Sequence, residues 1–384
     1  MWKTRVFCGY LDIDYNKLVK NKFFKSEKKQ IPLPVFFPDA TRAVLRTLDS
    51  VDIENTKTPG VLVNTYHLYL ELGKDILKMH GGVRPFMNWN GGVISDSGGF
   101  QLMSLVKANG NGKVTDEGIV FRPSKKKKIL FTPEKSVDFQ MAIKPDMVVV
   151  LDDFTDPRAN FAEARESIER TIEWAKRSKA EFEKICKDRK LSKTERPYLL
   201  GIVQGGEFLD LRAECTKRLV EIGFDGLGYG GWPMKSDGSF NFDVAAVMAE
   251  NTPEEYLLYG LGIGKPDEVA KCAKLGFSIF DCVLPTRDAR HGRLYTFTAE
   301  TMDTIDVTQD KFFRYFEPDK ERHVKDINPV STACDCLLCK KYTRSYLAHL
   351  FRIKDVTALR LASIHNLRFY SLLMEKIREQ IWDV

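Results

Sequence analysis

The sequence predicts an α/β fold, a (β/α)8 TIM barrel with a metal-binding subdomain inserted or appended near its C-terminal end. Three observations support this fold class. Eight short apolar runs follow one another between residues 33 and 283, amphipathic helical stretches separate several of them, and three clustered cysteines lie beyond the last run. Nearly continuous apolar strands that alternate with helices are typical of a parallel sheet covered by helices. Eight such units within about 250 residues fit a closed barrel better than an open sheet.

The predicted strands share a length of a few residues and a high content of Val, Ile, Leu and Phe. In chain order the eight runs are 33–38, 60–65, 91–99, 146–153, 198–206, 224–231, 256–264 and 277–283. The clearest helical stretches are 160–186 and 209–223, which lie between the fourth and fifth and between the fifth and sixth runs. Each therefore occupies the position of a helix that connects two parallel strands.

Beyond Val283 the alternation stops. A polar, irregular stretch follows, then the cysteine cluster, and then a helical stripe of apolar residues over 359–377. We therefore predict two domains. Residues 1–283 form the barrel core, with the N-terminal segment included, and residues 284–384 form a metal-binding subdomain with closing C-terminal helices.

Composition excludes few functions. The chain has 384 residues, of which 43% are hydrophobic and 29% charged, as is ordinary for a soluble protein. It has no apolar stretch of membrane-spanning length, and residues 1–17 lack the pattern of a signal peptide, so we expect a cytoplasmic location. The net charge is +6, and the sharpest basic run is 124–131. Such a run is either a solvated loop or a contact for a phosphate backbone.

Polar residues and glycines recur at the C-terminal ends of the predicted strands. They are Asn64, Asp96, Asp152, Gln204, the pair Gly230 and Gly231, Gly262 and Asp281. Each one alone has an ordinary alternative as a helix cap or a turn residue. In a barrel, however, these strand ends converge on the face that carries the active site, and the whole series favours a site there. A strand-ending carboxylate such as Asp281 is suited to act as nucleophile, base or metal ligand.

The cysteine cluster predicts a metal site. Cys334, Cys336 and Cys339 form a C-x-C-x-x-C motif, and His365 follows 26 residues later. Three thiolates and one imidazole complete a tetrahedral Zn²⁺ shell with no open position, which indicates a structural ion. The alternatives are free thiols beside a core histidine, and His349 as the fourth ligand.

Five segments of the chain closely resemble one family. "SDSGGFQLMSL", "GIVQGG", "FDCVLPTRDARHGRLYT", "CDCLLCKKYTRSYLAHLF" and "LRLASIHNLRFY" are similar to motifs of the bacterial-type tRNA-guanine transglycosylases, or queuine tRNA-ribosyltransferases. The resemblance extends from about residue 33 almost to the C-terminus. It implies a TIM-barrel pentosyltransferase with a structural zinc subdomain, acting as a homodimer. It also implies exchange of guanine at wobble position 34 of tRNAs with a GUN anticodon for a 7-deazaguanine, in queuosine modification.

The resemblance also implies roles for individual residues. Asp281 would be the nucleophile that forms a covalent bond to the ribose, and Asp96 the general acid and base, which is the chemistry of a retaining double displacement. The residues implied to bind the base are Ser97, Gly98, Gly99, Phe100, Asp152, Gln204, Gly230, Gly231, Trp232 and Leu261. Those implied to contact tRNA are Gly262, Lys265, Thr286, Arg287 and Arg290, and the segment Thr286 to Arg290 is expected to be a loop around the wobble base. Given such a partner, the basic run Lys125–Lys128 is expected to contact phosphates.

The chain departs from the bacterial pattern around the predicted base pocket. "PVFFPDATR" stands for the common "PVFMPVGT", Asp153 for a glutamate, Phe154 for a small residue, Trp232 for a leucine and Ser236 for a glutamate. These positions border the region that receives the 7-substituent. The sequence therefore leaves open whether the base is preQ1, queuine or another 7-deazaguanine.

Three other functions account for part of the sequence. A related transglycosylase would act on another deazaguanine or nucleic acid. A non-catalytic tRNA-binding subunit should have lost the two catalytic aspartates, and this chain keeps both. A general barrel glycosidase would account for two carboxylates but not for the cysteine motif or the arginine-rich segment.

Overall fold

The computed structural model describes residues 22–109, 112–124 and 127–382. Its centre is an eight-stranded parallel sheet in which each strand pairs with its neighbours in chain order. The strands are β1 (Val35–Pro38), β2 (Gly60–Asn64), β3 (Gly92–Asp96), β4 (Met147–Val149), β5 (Tyr198–Val203), β6 (Gly226–Tyr229), β7 (Leu257–Gly260) and β8 (Ile279–Cys282). All eight predicted runs contain one of these strands, so the fold class is confirmed.

The sheet closes into a barrel at two seams. β8 pairs in parallel with β1 from Ile279 opposite Val35 to Cys282 opposite Pro38. At the other seam, Asp39 just beyond β1 forms a parallel bridge with Leu62 of β2. The Ala40 N–H donates to the Leu62 carbonyl at 2.7 Å. Closure satisfies the strand edges that an open sheet would leave exposed.

Fourteen α-helices lie in the described part of the chain. They are α1 (Ser50–Asn55), α2 (Thr65–Glu71), α3 (Lys74–His80), α4 (Val83–Met87), α5 (Gly99–Asn109), α6 (Pro133–Ile143), α7 (Phe161–Asp188), α8 (Leu209–Ile222), α9 (Phe242–Asn251), α10 (Pro266–Lys274), α11 (Leu284–Arg290), α12 (Leu337–Lys341), α13 (Arg344–Arg352) and α14 (Val356–Ile377). The predicted helices 160–186 and 209–223 are α7 and α8. None of the helices in the described ranges is long and apolar enough to cross a membrane.

Helix α7 is fixed at its start by a reciprocal cap. The Asn160 side chain accepts a hydrogen bond from the Glu163 N–H at 3.0 Å, and the Glu163 carboxylate accepts one from the Asn160 N–H at 2.9 Å. Such a capping box satisfies two backbone donors that a helix start leaves without partners. It sets the first turn of the long helix between β4 and β5.

The barrel interior is tightly packed around Phe37. Its ring is fully buried, and a Cβ built on Gly60 would lie 2.0 Å from it. A side chain at residue 60 would therefore displace Phe37, so the close approach of β2 to β1 requires glycine here. Side chains alternate along a strand, and residues two positions after Phe37 and Gly60 consequently face the same interior.

Three small antiparallel sheets were not predicted. Phe23–Lys25 pairs with Gln30–Pro32, and Leu294–Phe297 pairs with Phe313–Phe316. The third, between α5 and α6, consists of Gly112–Thr115, Gly118–Ser124 and Lys127–Phe131.

Of the two interpretations of the basic run, a solvated loop does not apply to Lys127 and Lys128, because both lie exposed on a strand of the third sheet. That strand buries Ile129 and Phe131, and this burial holds it in the sheet. Lys125 and Lys126 lie outside the described residues. Residues 1–21 of the predicted barrel domain also lie outside them.

The chain leaves the barrel after β8 and returns to it with α14. This helix packs on the outside of β1, where the Tyr370 and Phe36 rings lie 4.5 Å apart. Tyr295, Phe369 and Tyr370 belong to the same continuous hydrophobic core as the barrel strands. The domain boundary at residue 283 stays a prediction, and the residues on its two sides share one core.

Candidate active site and metal centre

Asp96 ends β3 and is held by three donors. The Asn64 side-chain amide, from the end of β2, donates to both carboxylate oxygens at 3.0 and 2.8 Å. The N–H groups of Thr65 and Gly98 donate to Oδ1 at 3.3 and 2.9 Å. Burial raises the pKa of Asp96 to about 7, although these hydrogen bonds act to lower it. A carboxyl group with this pKa can hold or release a proton near neutral pH.

Asp281 lies near the end of β8, and its side chain is buried. The Gly262 N–H, just beyond β7, donates to Oδ1 at 3.0 Å. Burial raises the pKa of Asp281 to about 6, while the Gly262 N–H and the Tyr259 hydroxyl beside it favour the charged form. Asp281 is therefore ionised at neutral pH. The pKa of Asp96 is therefore higher than that of Asp281. A pair of carboxyl groups with different pKa values is suited to provide an acid, here Asp96, and a nucleophile, here Asp281.

A third carboxyl group, that of the half-buried Asp39, belongs to the same strand-end cluster. It follows β1, which lies between β8 and β2. Burial and the charges of Asp281 and Asp96 raise its pKa well above the usual range. Asp39 stands in the unusual segment "PVFFPDATR", but no role was predicted for it. The alternation of side chains along β1 places Asp39 on the same interior face as Phe37 and was the signal in the sequence that could have identified it.

Asp152 and Gln204 form the next part of the strand-end surface. The Gln204 Nε2 donates to Asp152 Oδ2 at 2.6 Å, and its Oε1 accepts from the Thr155 N–H at 3.1 Å. Both ends of the amide are therefore fixed. Burial raises the pKa of Asp152 to about 6. A carboxylate and an oriented amide together match the donors and acceptors on the edge of a purine base.

Gly230 and Gly231 follow β6 beside this pair. Gly231 has a φ of +82°, and a Cβ there would lie 3.2 Å from both Gln204 Oε1 and Arg212 Nη2. A side chain would be strained and would press on Gln204. The sequence analysis missed the fully buried Arg212. Its guanidinium donates to the carbonyls of Val203, Gly206 and Gly230 at 2.7–2.8 Å, joining the ends of β5 and β6.

The "SDSGGF" segment turns sharply from β3 into α5. Ser97 is buried and its Oγ accepts from the Gly99 N–H at 3.2 Å. Gly98 has a φ of +77°, and a Cβ there would lie 2.7 Å from the Tyr66 backbone nitrogen. Gly99 lies against Asp152, whose Oδ1 would be 3.4 Å from an added Cβ.

The predicted aromatic wall is accessible. The Phe100 side chain is 47% exposed, so it does not pack in the core. It meets the Phe154 ring edge to face, with ring centroids 5.2 Å apart. Leu261, half-buried beyond β7, lies over Gly228, and Trp232 is 51% exposed. An exposed ring and an aliphatic side chain are suitable surfaces for stacking a planar base.

The departures from the bacterial pattern fall into two kinds. Asp153 is buried, forms an ion pair with Arg170, and its N–H donates to Thr171 Oγ1 at 3.0 Å, so it holds the β4 end to α7. Ser236 is exposed in a turn between the bridged residues Met234 and Phe240. Phe154, in contrast, lies directly against the Phe100 ring.

The segment Thr286 to Arg290 was predicted to be a loop, and this is wrong, because it forms helix α11. Pro285 occupies its first turn, where proline is compatible with a helix. Thr286 is buried, and its hydroxyl donates to the Val283 carbonyl at 3.3 Å. Arg287 is exposed, and the nearby charges of Arg287 and Arg46 join burial in lowering the pKa of Arg290.

Arg46, Arg287 and Arg290 therefore form a cationic cluster beside the strand ends, and Arg46 was missed by the sequence analysis. Arg46 is exposed on the segment that follows β1. Lys265 begins α10 and pairs with Glu268 at 3.1 Å. Clustered guanidinium groups of this kind suit phosphate oxygens.

The predicted metal ligands come together. The Sγ atoms of Cys334, Cys336 and Cys339 and a ring nitrogen of His365 lie within 4.8 Å of one another. His365 Nδ1 is 3.5 Å from Cys336 Sγ and 3.3 Å from Cys339 Sγ. These separations fit donors around one tetrahedral ion, for which roughly 3.5–3.8 Å follows from the usual bond lengths.

The histidine is oriented for metal binding. His365 Nε2 lies 2.8 Å from the Tyr295 carbonyl, which can only accept, so Nε2 carries the proton and Nδ1 presents its lone pair to the thiols. The competing histidine, His349, is exposed on α13. In the described part of the chain, the cluster can hold a metal ion through four protein ligands.

The closed barrel, the carboxyl groups at its strand ends and the Cys3His centre place the chain among the (β/α)8 proteins, with a strand-end face that is suited to acid–base and nucleophilic chemistry. The family model for queuine tRNA-ribosyltransferase matches residues 22–383. The chain is 37% identical over 356 residues to the queuine tRNA-ribosyltransferase of Shewanella sp. (strain W3-18-1), covering 92% of this chain and 88% of that protein.

Two further relatives have the same description. The protein of Thermoanaerobacter pseudethanolicus is 37% identical over 352 residues, covering 91% of this chain and 87% of the relative. That of Vibrio vulnificus (strain YJ016) is 37% identical over 357 residues, covering 92% and 87%. The chain belongs to the queuine tRNA-ribosyltransferase family. It is an enzyme of the pentosyltransferase class, and its family supports tRNA-guanine transglycosylase activity.

Proposed function

We propose that this enzyme exchanges guanine at wobble position 34 of tRNAs with a GUN anticodon for a 7-deazaguanine, through a covalent bond between Asp281 and the ribose. The observation that carries this proposal is the pair of hydrogen-bonded carboxyl groups at the ends of β8 and β3, of which Asp281 is buried and Asp96 is half-buried. The pKa of Asp281 is about 6 and that of Asp96 about 7. Between these values one group is ionised while the other keeps its proton.

In the first half-reaction the Asp281 carboxylate attacks C1′ of the wobble ribose. The C1′–N9 bond breaks, and the electron pair leaves with guanine, which takes the proton of Asp96. The Gly262 N–H holds Oδ1 of Asp281, which leaves the other oxygen to attack. The products are a glycosyl ester of Asp281, neutral guanine and the Asp96 carboxylate.

In the second half-reaction the Asp96 carboxylate removes the N9 proton of the incoming base. N9 attacks C1′ on the face that guanine left, and the ester bond to Asp281 breaks. Asp281 returns as a carboxylate, Asp96 regains its proton, and two inversions preserve the configuration at C1′.

Base recognition is assigned to the other strand ends. Asp152 and Gln204 have the hydrogen-bonding groups for the amino and ring N–H edge, and the Gly231 N–H is proposed to donate to the base carbonyl. Phe100 and Leu261 are proposed to stack on the two faces of the base. Trp232, together with Phe154, is proposed to border the 7-substituent.

Binding of tRNA is assigned to the cationic cluster of Arg46, Arg287 and Arg290, together with Gly262 and Lys265. Thr286 is buried and is proposed to act only by shaping helix α11. Bases of a single-stranded loop can be unstacked at little cost, so an anticodon can present its wobble base to a stacking wall.

The ion at the Cys3His centre is proposed to be Zn²⁺, held by Cys334, Cys336, Cys339 and His365. Sulfur-rich tetrahedral shells favour Zn²⁺, and a shell filled by four protein ligands stabilises structure. We also propose a homodimer in the cytoplasm, which size-exclusion chromatography with light scattering would test.

The first prediction tests the nucleophile. Asp281→Ala removes the attacking oxygen, so incorporation of labelled guanine into a GUN-anticodon tRNA should fall at least about 1,000-fold. The denaturation-resistant tRNA adduct of the wild type should be absent. The matched control is Asp319→Ala, because Asp319 is exposed and distant in sequence from the site. An Asp281→Ala enzyme with wild-type exchange would contradict the assignment.

The identity of the incoming base has its own assay. Guanine, preQ1, preQ0 and queuine compete for incorporation into one tRNA transcript. We expect one 7-deazaguanine to be incorporated irreversibly and in preference to guanine. A preference for guanine over all three would contradict a role in 7-deazaguanine insertion.

A further inference from the structure

Asp39 lies between the two carboxyl groups of the proposed mechanism. In the barrel, β1 is flanked by β8 on one side and β2 on the other. Asp281 of β8 is in register with Phe37 of β1, and Asp39 is two residues further on, with its side chain on the same interior face. Asp39 is thus one alternation nearer the mouth of the barrel than Asp281.

The other seam fixes Asp39 relative to Asp96. Asp39 is bridged to Leu62, and two residues after Leu62 on the same face is Asn64, whose amide binds Asp96. The carboxyl groups of residues 281, 39 and 96 consequently follow the rim across four adjacent strands. The charges of Asp281 and Asp96 raise the pKa of Asp39, and the charge of Asp281 raises the pKa of Asp96.

Asp39 is also partly accessible. Its residue surface is only half-buried, whereas that of Asp281 is buried. The raised pKa favours the protonated form of the Asp39 carboxyl, which has one hydroxyl donor and a carbonyl oxygen acceptor. In either protonation state the group offers an oxygen at the mouth of the site that can accept a hydrogen bond from a substrate hydroxyl.

The stereochemistry of a ribonucleoside indicates which substrate hydroxyl Asp39 can bind. In a β-nucleoside the base and the 2′-hydroxyl lie on opposite faces of the ribose ring. A nucleophile that displaces the base must approach C1′ from the face that carries the 2′-hydroxyl. A carboxyl group next to the nucleophile is therefore on the side of the ribose that carries the 2′-hydroxyl.

We propose that Asp39 binds the 2′-hydroxyl of the wobble ribose while Asp281 attacks C1′, and that this contact makes the enzyme selective for RNA over DNA. The inference rests on the proposed function and deepens it. Hydrogen bonds to the 2-hydroxyl of a sugar strengthen as an oxocarbenium-like transition state develops, so the contact accelerates the chemical step.

The test uses two anticodon stem-loops that differ in one atom, with guanosine or 2′-deoxyguanosine at the wobble position. Guanine release and adduct formation are measured under single-turnover conditions for the wild type, Asp39→Val and Asp39→Asn. Valine has nearly the volume of aspartate but no polar group, and asparagine keeps a carbonyl acceptor. The intrinsic difference in reactivity between the two sugars cancels when one enzyme's ratio is divided by another's.

We expect Asp39→Val to lower the rate on the ribose substrate by about 10- to 100-fold and to leave the deoxyribose rate within about threefold. Asp39→Asn should keep most of the preference for ribose. Equal losses on both substrates, or an unchanged ratio in Asp39→Val, would contradict the inference. An Asp39→Asn enzyme as unselective as Asp39→Val would contradict the acceptor role.

The same data separate this inference from the proposed function. A wild type that releases guanine from RNA without preferring it over the deoxyribose stem-loop contradicts the role of Asp39 and leaves the transglycosylase intact. A wild type that releases guanine from neither substrate contradicts both. Should Asp39→Val not fold, Asp39→Ser, whose hydroxyl is too short to replace the carboxyl, takes its place with the same expected ratio.

Discussion

At the scale of single residues, Asn64 links a helix cap to the proton chemistry. Its Nδ2 donates to both oxygens of Asp96, and its Oδ1 accepts from the His67 N–H at 3.0 Å as the N-cap of α2. Because the cap fixes one end of the amide, the other end always presents a donor to Asp96. This donor favours the carboxylate and keeps the pKa of Asp96 lower than burial alone would make it.

A pH profile follows from these two pKa values. Attack requires ionised Asp281, so kcat/KM for tRNA should fall below about pH 6, and it requires protonated Asp96, so it should also fall above about pH 7. Asn64→Ser keeps a helix cap but removes the donor, which raises the pKa of Asp96. We expect the alkaline limb to move to higher pH while the acid limb stays in place.

The control for this profile is Asn160→Ser, which makes the same exchange at the N-cap of α7, away from the site. It should leave both limbs unchanged. An alkaline limb that moves to lower pH in Asn64→Ser, or that does not move, would contradict the assignment of this limb to Asp96.

At the scale of elements, α14 performs two tasks with neighbouring residues. His365 contributes to the metal centre, and Asn366 accepts from the Tyr295 N–H at 3.1 Å and donates to the Pro285 carbonyl at 2.9 Å. Phe369 stacks on Phe297 with ring centroids 4.2 Å apart. The helix therefore joins the metal centre, helix α11 and the barrel core.

The packing of α14 is open to a direct measurement. Phe369 is 1% exposed, and Phe369→Ala should lower the free energy of unfolding by about 3–5 kcal/mol through lost burial and a cavity. Val356, at the start of the same helix, is 73% exposed, so Val356→Ala should change it by less than about 0.5 kcal/mol. Equal effects in urea denaturation would show that α14 does not pack as described.

The barrel strands and the long helices were predictable from the sequence, whereas the strands outside the barrel and helix α11 were not. The barrel strands are buried on both faces, so their apolar runs were conspicuous, and α7 and α8 carried clear periodic patterns. The strands Gly112–Thr115 and Gly118–Ser124 are partly exposed, so neither alternation nor a long apolar run marks them. Helix α11 was missed because its arginines suggested a loop, although Pro285 in the first turn is a helix-start signal.

The site residues that end the barrel strands were predictable from the sequence, whereas those inside helices were not. Asp96, Asp152 and Asp281 end apolar runs, and that boundary is visible in the sequence. Arg212 lies within α8, and its three carbonyl partners come from other segments. Only the folded arrangement brings these groups together, so no local pattern could reveal its role.

At the scale of the whole molecule, the metal centre holds three segments far apart in the chain. Cys336 and Cys339 belong to the α12 region, His365 to α14, and Tyr295, which orients His365, to a hairpin after α11. An ion bound here to the folded state alone contributes its binding free energy to stability. Its removal should therefore loosen the packing of α14 on the barrel.

Chelation tests this coupling. We expect a strong chelator, or Cys339→Ser, to lower the midpoint of thermal unfolding by roughly 5 °C or more and to release one ion per chain. Cys186→Ser is the control, since Cys186 is a buried cysteine of α7 outside the cluster. A metal-free protein that keeps its midpoint and loses only its chemistry would instead make the ion a participant in the reaction.

The closure of the barrel determines the order in which parts of the chain can fold during synthesis. β1 leaves the ribosome early, but its two seams and its cover come from β2, from β8 and from α14, whose last residue is Ile377. A nascent chain can pair its successive strands as they emerge. It can enclose β1 only after β8 and α14 have been synthesised. Such long-range closure is slow and leaves an unpaired strand edge exposed. Translation rate and chaperones should accordingly matter more for this enzyme than its ordinary composition suggests.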